Sequence, residues 1–475
     1  MKIELLSKSD IDRIHEMSLR ILDQVGVIVP HPEMLGLLDD EGARVDHQKQ
    51  LVRIPHDLVE SSLQQAGKTF SIFGRDTSTC ARFGIGARNY NSIAGEALWI
   101  DNPGDERRYA TLEDVKTASR FGDALSHINV VGAMSDPHEI PPQYRCVEVM
   151  AAMLEHTSKP LHFWYHDRAS ASYLNEIMIA VRGDAQRAAE HPLCYPFLEP
   201  ISPLRFSFHG VDLLFESSRL GLPVPIGPMA QMGVSAPATI AGTVAQENAE
   251  ILAGICLTQL IRPGTPVCYG GICHAFDMAT TQMIFSGPEQ AIFGVAMTQL
   301  GKHYGLPVYI NVGLTDAKVP DGQAGMEAGI TLMLGSAAGA DIFGHMGISG
   351  VDQASSLDIL VMQNEVIGYV ESVLRQTEFS EKEFAFEEIR NAGPGGNFLD
   401  SVHTAENFRS SLWFPRLLDR DYYDAWREAG ASDLAERCRA RKGEILAGHE
   451  PEPMPEDVKR AMSEIVSSAR RNLGD

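Results

Sequence analysis

The stretches TPVCYGGICH (265–274) and LPVYINVGLTD (306–316) decide the fold of this 475-residue chain. Each stretch has a proline near its start and continues through Val, Tyr and Ile, without the polar–apolar alternation of a strand that has one solvated face. Continuous apolar runs of this kind are typical of parallel strands that are buried on both faces. The two stretches therefore predict a parallel sheet covered by helices.

Eight such runs follow one another along the chain, and a helical pattern separates each run from the next. The runs are residues 87–95, 128–136, 160–166, 192–200, 222–229, 265–274, 306–316 and 340–347. Strands alternating with helices in this number predict a closed (β/α)8 TIM barrel, which is an α/β fold. An open doubly wound sheet more often has a glycine-rich phosphate turn after its first strand, and this chain has none.

Helical additions are predicted on both sides of the barrel. Residues 1–84 form an N-terminal helical segment, in which Ser9 is placed to cap a helix whose apolar residues recur every three or four positions. The barrel is predicted over residues 85–391. The Gly/Pro-rich stretch AGPGGNFLDSVHT (392–404) opens a C-terminal helical extension, residues 392–475, which we expect to pack on the outside of the barrel.

Composition excludes several classes of protein. Hydrophobic residues make up 44% of the chain, which is enough for a large core and excludes general disorder. The net charge of −23 argues against nucleic acid or an anionic membrane as a partner. Seven scattered cysteines indicate free thiols in a reducing compartment. Because no signal peptide or long apolar run is evident, we expect a cytoplasmic protein.

The carboxyl ends of the predicted strands are rich in aromatic rings, methionine and imidazole. A (β/α)8 barrel places its active site at these ends. Basic residues are few there, and the nearest are Lys159, Arg168, Arg205 and Lys318. Ring faces and carboxylates attract a diffuse positive charge, so this composition favours a small cation over a phosphate.

One predicted helix has polar residues on its buried side. The apolar stripe of helix 237–261 is interrupted at Asn248, beside Gln246, Glu247 and Glu250. Buried polar groups need hydrogen-bond partners. This interruption predicts either a hydrogen-bond network or a ligand contact.

A zinc site is an alternative reading of the sixth strand, where Cys268, Cys273 and His274 are possible zinc ligands. Residues five apart on a strand face opposite sides, however, and cysteine is often buried for packing alone. The chain has no Walker loop, His-Glu-x-x-His motif, nucleophile elbow or Cys-x-x-Cys motif.

Five segments together resemble the trimethylamine methyltransferase family, whose members are corrinoid-dependent (β/α)8 barrels. The segments are IHEMSLRILDQVGV (14–27), QENAEILAG (246–254), TDAKVPDGQAGMEAG (315–329), QNEVIGYV (363–370) and GPGGNFLDSVHT (393–404). Members that act on trimethylamine have pyrrolysine after the eighth strand. Here that stretch, residues 344–365, contains ordinary residues throughout, with Gly350 or Val351 at the corresponding place.

The resemblance therefore implies the branch without pyrrolysine. Its members move a methyl group from a quaternary amine, such as glycine betaine, proline betaine or carnitine, to the Co(I) of a corrinoid protein. A tertiary amine such as dimethylglycine is released. The quaternary nitrogen is already cationic, so no pyrrolysine is needed and no catalytic residue is strictly required. The protein positions the methyl donor, and positioning alone lowers a barrier by roughly 7–11 kcal/mol.

The resemblance also implies partners and a binding site. The corrinoid is expected on a separate protein, because this chain has no Asp-x-His-x-x-Gly motif. A homo-oligomer is a further expectation. Two alternatives remain. One is a zinc-thiolate methyltransferase that uses Cys268, Cys273 and His274, and the other is a non-catalytic betaine-binding barrel. We predict substrate binding by an aromatic wall, by acidic counter-charges and by histidines that bind a substrate carboxylate. The predicted residues are, in that order, Tyr90, Phe163, Tyr165, Tyr269 and Phe343; Glu199, Glu247 and Asp316; His166, His274 and His345.

Overall fold

Eight parallel segments form a barrel in the computed structural model, which describes residues 2–474. We number the barrel strands 1 to 8 in chain order. They are Asn89–Ser92, Val131–Gly132, Leu161–His162, residues 193–198, Val224–Ile226, Val267–Gly271, Val308–Asn311 and Ile342–Met346. Each lies within one of the eight runs that the sequence predicts, so the (β/α)8 fold class is confirmed.

Backbone pairing closes the circle of strands. Strands 5, 6, 7, 8 and 1 form one continuous parallel sheet, in which Tyr90 of strand 1 lies opposite Phe343 of strand 8. Strand 2 pairs with strand 3 and joins strand 1 through a parallel bridge between Asn91 and Val130. The lumen is thus enclosed on all sides by backbone.

Strand 4 is the least regular member of the barrel. The Leu161 N–H donates to the Leu193 carbonyl (2.9 Å), and Leu198 forms a parallel bridge with Ile226. Between these contacts the ladder is incomplete, because Pro196 has no N–H to donate. The predicted strand at 192–200 is therefore an extended connection held at its two ends.

Eight helices surround the strands, and we number them barrel helices 1 to 8. They are Leu112–Ala124, Pro142–His156, Arg168–Arg182, Phe208–Leu220, Ile240–Ile261, Pro288–His303, Gly322–Ala338 and Leu357–Leu374. A short helix, Ala185–Glu190, follows helix 3. Several begin at a side-chain cap, as at Thr111, Asp321 and Ser356, which accept from backbone N–H groups of the first turn.

The N-terminal segment contains strands as well as helices. Its helices are Lys8–Arg20, Pro32–Asp40 and His56–Gln65, and Ile21–Val25 continues the first as a π-helical turn. Ser7, and not the predicted Ser9, caps the first helix and forms a reciprocal pair with Asp10. The strands Val27–Ile28, Arg44–Asp46 and Leu51–Arg53 form an antiparallel sheet that the sequence analysis missed, because strands of two or three residues show no periodicity.

A hairpin closes the amino-terminal end of the barrel. Its strands, Phe70–Phe73 and Cys80–Phe83, pair antiparallel. Ile72 and Phe83 of the hairpin are buried in one apolar cluster with Tyr309 and Ile342 from strands 7 and 8. We call this hairpin the floor of the barrel, and the opposite, carboxyl end of the strands its mouth.

Short sheets surround the mouth. Leu98–Ile100, Arg108–Tyr109, Ile348–Ser349 and Ala354–Ser356 form one four-stranded sheet. A second sheet contains Gln231–Met232, His274–Asp277 and Gln282–Ile284. These sheets continue beyond strands 1, 5, 6 and 8, so the mouth is built from chain segments that the barrel itself positions.

The C-terminal part of the chain is helical. Its helices are Glu381–Phe384, Phe386–Ala392, Val402–Ser411, Tyr423–Glu428, Leu434–Gly448 and Glu456–Leu473. The last two pack on the outer helices of the barrel, Leu434–Gly448 against helix 8 and Glu456–Leu473 against helices 2 and 3. The division into segments 1–84, 85–391 and 392–475 stays a prediction. Within residues 2–474, no helix is long and apolar enough to cross a membrane.

Candidate active site

Five aromatic rings face one another in the lumen below the mouth. We call them the ring cage: His162, Trp164, Phe197, Tyr309 and His345. Ring centroids lie 5.4 Å apart for Phe197 and Tyr309, 5.6 Å for His162 and His345, and 6.1 Å for Trp164 and His345. These are distances between rings in contact, so a small organic cation would lie against the ring surface that Trp164 and Phe197 leave accessible.

Hydrogen bonds and a glycine fix the positions of these rings. The Trp164 indole N–H donates to the Gly95 carbonyl (2.9 Å), and the Asn91 amide nitrogen lies 2.7 Å from Nδ1 of His162. A Cβ at Gly344 would lie 2.2 Å from both the Asn91 side-chain oxygen and the Tyr309 hydroxyl. Glycine at 344 therefore allows the backbone of strand 8 to lie close to the Asn91 and Tyr309 side chains.

Two imidazole nitrogens in the cage are buried without a hydrogen-bond partner among residues 2–474. They are Nε2 of His162 and Nε2 of His345. Burial lowers the pKa of His162 to about 4, and burial, followed by the neighbouring His162 and His274, lowers the pKa of His345 well below its usual value. Both rings are neutral at pH 7, and unpartnered polar atoms of this kind indicate a place for a ligand or water.

Three carboxyl groups lie at the mouth, and we call them the carboxyl cluster. Glu96 follows strand 1, Glu199 follows strand 4 and Asp352 lies in the loop after strand 8. That loop turns sharply, because Gly350, Val351 and Asp352 have φ angles of 67°, 64° and 55°. Solvent reaches Glu199 through the mouth although protein surrounds it on the other sides.

Burial raises the pKa values of all three carboxyl groups, and neighbouring acids add to the shift at Glu96 and Glu199. Burial and then Asp352, Asp136 and Glu199 raise the pKa of Glu96 to about 9. Burial and then Asp352 raise the pKa of Glu199 to about 7, and burial raises that of Asp352 to about 6. A cation bound among these groups would favour their ionised forms and lower these pKa values.

The predicted aromatic wall lies on the other side of the strands. Tyr90 and Phe343 stack on each other at 5.2 Å, and the Tyr90 hydroxyl donates to Glu371 of barrel helix 8. Phe163 stacks on Tyr165, whose hydroxyl lies 3.1 Å from the Cys194 sulfur. These side chains fill the layer between strands and helices.

The fifth member of that wall, Tyr269, has the same orientation. Its hydroxyl donates to the Asn248 side-chain oxygen on barrel helix 5 (2.8 Å), and the Asn248 amide donates to the Ser18 and Tyr304 hydroxyls. The polar interruption of helix 5 is therefore a hydrogen-bond network, which is one of the two arrangements that the sequence predicts.

Glu247 and Asp316 bind backbone and lie outside the cage. Glu247 is completely buried and accepts from the N–H groups of Ala230, Ile272 and Cys273 at 2.7–3.1 Å. It thus ties barrel helix 5 to the ends of strands 5 and 6. Asp316 accepts from the Phe285 N–H (3.0 Å) and so holds the loop before helix 6.

The predicted histidines occupy three different places. His345 belongs to the cage. His274 is buried against Phe285 at 4.6 Å, and both its ring nitrogens lack partners within residues 2–474. His166 is at the rim of the mouth, where its Nδ1 lies 2.8 Å from the Pro142 carbonyl. The substrate-binding roles of Glu199 and His345 stay predictions.

The zinc alternative has no support in the geometry. Cys268 faces the lumen and packs in the apolar cluster of the floor, whereas Cys273 faces the helix layer beside Glu247. Within residues 2–474, His, Cys, Asp and Glu side chains form no group of three or more that could hold a metal ion. Cys268, Cys273 and His274 therefore do not converge as the alternative requires, because successive strand residues face opposite sides.

Most of the cage and cluster lies outside the predicted site. The predicted site omits Trp164, Phe197, His162, Tyr309, Glu96 and Asp352. Asn91 was the usable signal, because a buried polar residue in a barrel strand needs a hydrogen-bond partner, which other side chains in the lumen can supply. The same alternation along strand 3 then selects His162 and Trp164.

Fold and site together define a (β/α)8 barrel whose mouth has the chemistry to hold a small organic cation. The model of the trimethylamine methyltransferase family (MTTB) matches residues 1–474, and the chain belongs to this family. It is a methyltransferase, and the resemblance seen in the sequence is confirmed.

Named relatives cover nearly the full chain. A glycine betaine methyltransferase from Desulfitobacterium hafniense (strain Y51) is 28% identical over 100% of this chain and 98% of its own length. Trimethylamine methyltransferase MttB from D. hafniense (strain DSM 10664 / DCB-2) is 29% identical over 98% of this chain and 94% of its own length. The solved structure of Methanosarcina barkeri monomethylamine methyltransferase (MtmB) has a TM-score of 0.48 and 10% identity, and covers 100% of this chain and 95% of that chain.

Proposed function

We propose that this chain transfers a methyl group from a quaternary amine to the Co(I) of a corrinoid carried by a separate protein, and releases a tertiary amine. The ring cage below the carboxyl cluster is the observation that carries the proposal. Rings and carboxyl groups attract a fixed positive charge without needing an N–H on it. A quaternary nitrogen has the charge and lacks the N–H, so it matches both features.

The proposed reaction depends more on the position of the substrate methyl group than on acid–base catalysis. The carbon–nitrogen bond breaks with its electron pair remaining on nitrogen, so the leaving group is a neutral amine that needs no proton. The methyl carbon passes to Co(I), which supplies the nucleophile. The ring cage holds the ammonium group, and the neutral His162 and His345 do not compete with it by adding positive charge.

One relative supports a quaternary amine as methyl donor. Among the curated proteins that resemble the chain, one is named for glycine betaine and others for trimethylamine. Trimethylamine is a weaker match to the site, since its nitrogen has no fixed charge. Glycine betaine, proline betaine and carnitine are the donors that the sequence analysis favours and that the first assay includes.

A spectroscopic assay tests the proposal. Purified chain is mixed with chemically reduced cob(I)alamin and a quaternary amine, and the loss of Co(I) absorbance is followed. We expect methyl transfer from at least one of glycine betaine, proline betaine, carnitine, choline and tetramethylammonium, and none from trimethylamine. Silence from every quaternary amine, repeated with a corrinoid protein as acceptor, contradicts the proposal. Tight binding of a betaine without any transfer would support the non-catalytic alternative instead.

A further inference from the structure

Resting on the proposed methyl transfer, we infer that the lumen contains an inner subsite, on the floor side of Trp164 and Phe197, which binds a carboxylate at the end of the nitrogen substituent that is not transferred. Its side chains are Asn91, His162, Tyr195 and Tyr309, and we call them the donor layer. Three features support the inference: the depth of these side chains in the barrel, their unused protons and the absence of charge among them.

The donor layer lies one step deeper in the lumen than Trp164 and Phe197. His162 precedes Trp164 by two residues, and Tyr195 precedes Phe197 by two. Side chains two apart in an extended segment share a face and are about 6.5 Å apart. The His162 ring lies 5.9 Å from that of Trp164 and 5.7 Å from that of Tyr195, and Tyr195 meets Phe83 of the floor edge-on at 6.3 Å. The layer therefore separates Trp164 and Phe197 from the floor.

The layer has more hydrogen-bond donors than its internal contacts use. The Asn91 amide nitrogen lies 2.7 Å from Nδ1 of His162 and donates to the Tyr309 hydroxyl at 3.3 Å. These contacts use two of the four polar protons on the three neutral side chains. Turning the Asn91 amide over changes which protons are used and leaves their number the same. At least two donors therefore stay free in this group.

Tyr195 adds a further donor. Its hydroxyl is buried and has no partner among residues 2–474, and the same is true of Nε2 of His162 and the side-chain oxygen of Asn91. All four side chains of the layer are buried, so bulk water does not satisfy them. Buried polar groups in working proteins have partners. An oxygen with several lone pairs, such as that of a carboxylate, can accept from more than one of these donors.

The donor layer contains no charged group. Burial lowers the pKa of His162 to about 4 and raises the pKa values of Tyr195 and Tyr309 well above their usual value. The imidazole is thus neutral at pH 7, and both hydroxyls keep their protons. A free anion would be costly in such a place. A carboxylate that is bonded to its own ammonium group enters as part of a molecule with no net charge.

The subsite also orients the methyl donor. With the carboxylate toward the floor and the ammonium group against Trp164 and Phe197, the methyl groups are on the mouth side of the donor layer. The mouth is the open end of the barrel, so the inferred orientation presents a methyl group to an acceptor that arrives there.

Three compounds that share a trimethylammonium head and a two-carbon arm isolate the effect of the carboxylate. They are glycine betaine, choline and ethyltrimethylammonium. Isothermal titration calorimetry on the chain without any corrinoid measures their binding, and the cob(I)alamin assay measures transfer. We expect glycine betaine to bind at least about tenfold more tightly than ethyltrimethylammonium, with choline between them, because hydrogen bonds to a charged acceptor are the stronger ones.

Single hydroxyl deletions locate the source of the preference. We expect Tyr195→Phe and Tyr309→Phe each to lower the ratio of betaine to ethyltrimethylammonium affinity at least about fivefold, because each removes one donor and keeps the ring. Tyr165→Phe is the matched control, since this hydroxyl contacts Cys194 in the helix layer, and it should leave the ratio unchanged.

Thermal unfolding without any ligand tests the unpartnered hydroxyl separately. Tyr195→Phe should leave the melting temperature unchanged or raise it, because a buried hydroxyl without a partner does not stabilise the folded chain. A lower melting temperature would show that this hydroxyl is bound within the protein, which contradicts the inference.

The outcomes separate this inference from the proposed function. If glycine betaine binds no more tightly than ethyltrimethylammonium, the inference is overturned and the quaternary-amine function stands. A betaine preference that survives both hydroxyl deletions also overturns it, since the donor layer would then bind water only. Absence of transfer from every quaternary amine removes the proposed function, whereas the affinity ratios still decide whether the subsite exists.

Discussion

Trp164 and Tyr165, which follow strand 3, face opposite sides of the barrel wall. Single substitutions at the two positions can therefore test where the cation binds. Trp164 lies in the ring cage, whereas Tyr165 faces the helix layer. We expect Trp164→Ala to weaken binding of tetramethylammonium by about 2- to 30-fold, which corresponds to about 0.5–2 kcal/mol for a cation–ring contact. Calorimetry measures the change, and Tyr165→Phe is the control that should leave affinity unaltered. Equal losses in both variants would place the cation elsewhere.

The carboxyl cluster also predicts a pH dependence. The pKa of Glu199 is raised to about 7 by burial and by Asp352, so this carboxyl group changes from protonated to ionised between pH 6 and 8. Its neighbours Asp352 and Glu96 are both acidic, and the ionised form binds a cation better. Affinity for tetramethylammonium should therefore rise with pH across this window and should rise less in Glu199→Gln. A flat profile in the unsubstituted chain would contradict this.

A raised carboxyl pKa has the opposite effect on stability. The folded chain binds a proton at Glu199 more tightly than the unfolded chain, whose carboxyl has the ordinary pKa of 4.5. Stability therefore falls as pH rises from about 4.5 through about 7. We therefore expect Glu199→Gln to increase the free energy of unfolding, relative to the unsubstituted chain, by more at pH 8 than at pH 5. Urea denaturation of both chains at the two pH values measures this difference. An identical change at both would show that burial of this carboxyl has no cost.

At the scale of elements, barrel helix 5 is fixed to the sheet by one side chain. Glu247 accepts three backbone N–H groups at the ends of strands 5 and 6. Glu247→Ala leaves these buried donors unpaired, at about 1–3 kcal/mol each, so we expect a loss of about 3 kcal/mol or more in the free energy of unfolding. Glu247→Gln keeps one acceptor oxygen and should lose less. A loss below 1 kcal/mol in Glu247→Ala would mean that water replaces the carboxylate.

The number and order of strands could be predicted from the sequence, whereas the face that each residue presents could not. Apolar runs indicate buried parallel strands, and eight of them predict a (β/α)8 barrel. The sequence does not indicate which side chains face the lumen, because a strand that is apolar on both faces shows no polar–apolar alternation. Tyr90, Phe163 and Tyr165 were assigned to the lumen for this reason and lie one residue out of phase with Asn91, His162 and Trp164.

For the whole molecule, an exposed apolar arm predicts self-association. The arm, residues 376–423, carries Phe379, Leu399 and Val402 at 78%, 90% and 71% exposure. An apolar groove of about 600 Å³ lies between barrel helices 7 and 8, lined in part by Ile330 and Tyr369. Surfaces of this size and character are typical of protein interfaces. We expect a homo-oligomer in which the arm of one copy covers the groove of another.

Sedimentation velocity tests this arrangement. The double variant Leu399→Glu/Val402→Glu should lower the oligomer mass toward that of a monomer, whereas Glu406→Gln, an exposed change on the same arm, should not. A monomeric unsubstituted chain at micromolar concentration would rule out the expected assembly.

The floor of the barrel has a consequence for the order of events during turnover. The hairpin formed by Phe70–Phe73 and Cys80–Phe83 fills the amino-terminal end of the lumen. If the proposed function is correct, the amine and a docked corrinoid protein share the mouth. The amine would then enter first, and the demethylated product would leave only after the larger partner has withdrawn. Steady-state kinetics should therefore show a compulsory sequence, with inhibition by excess acceptor protein that binds the empty barrel and obstructs entry.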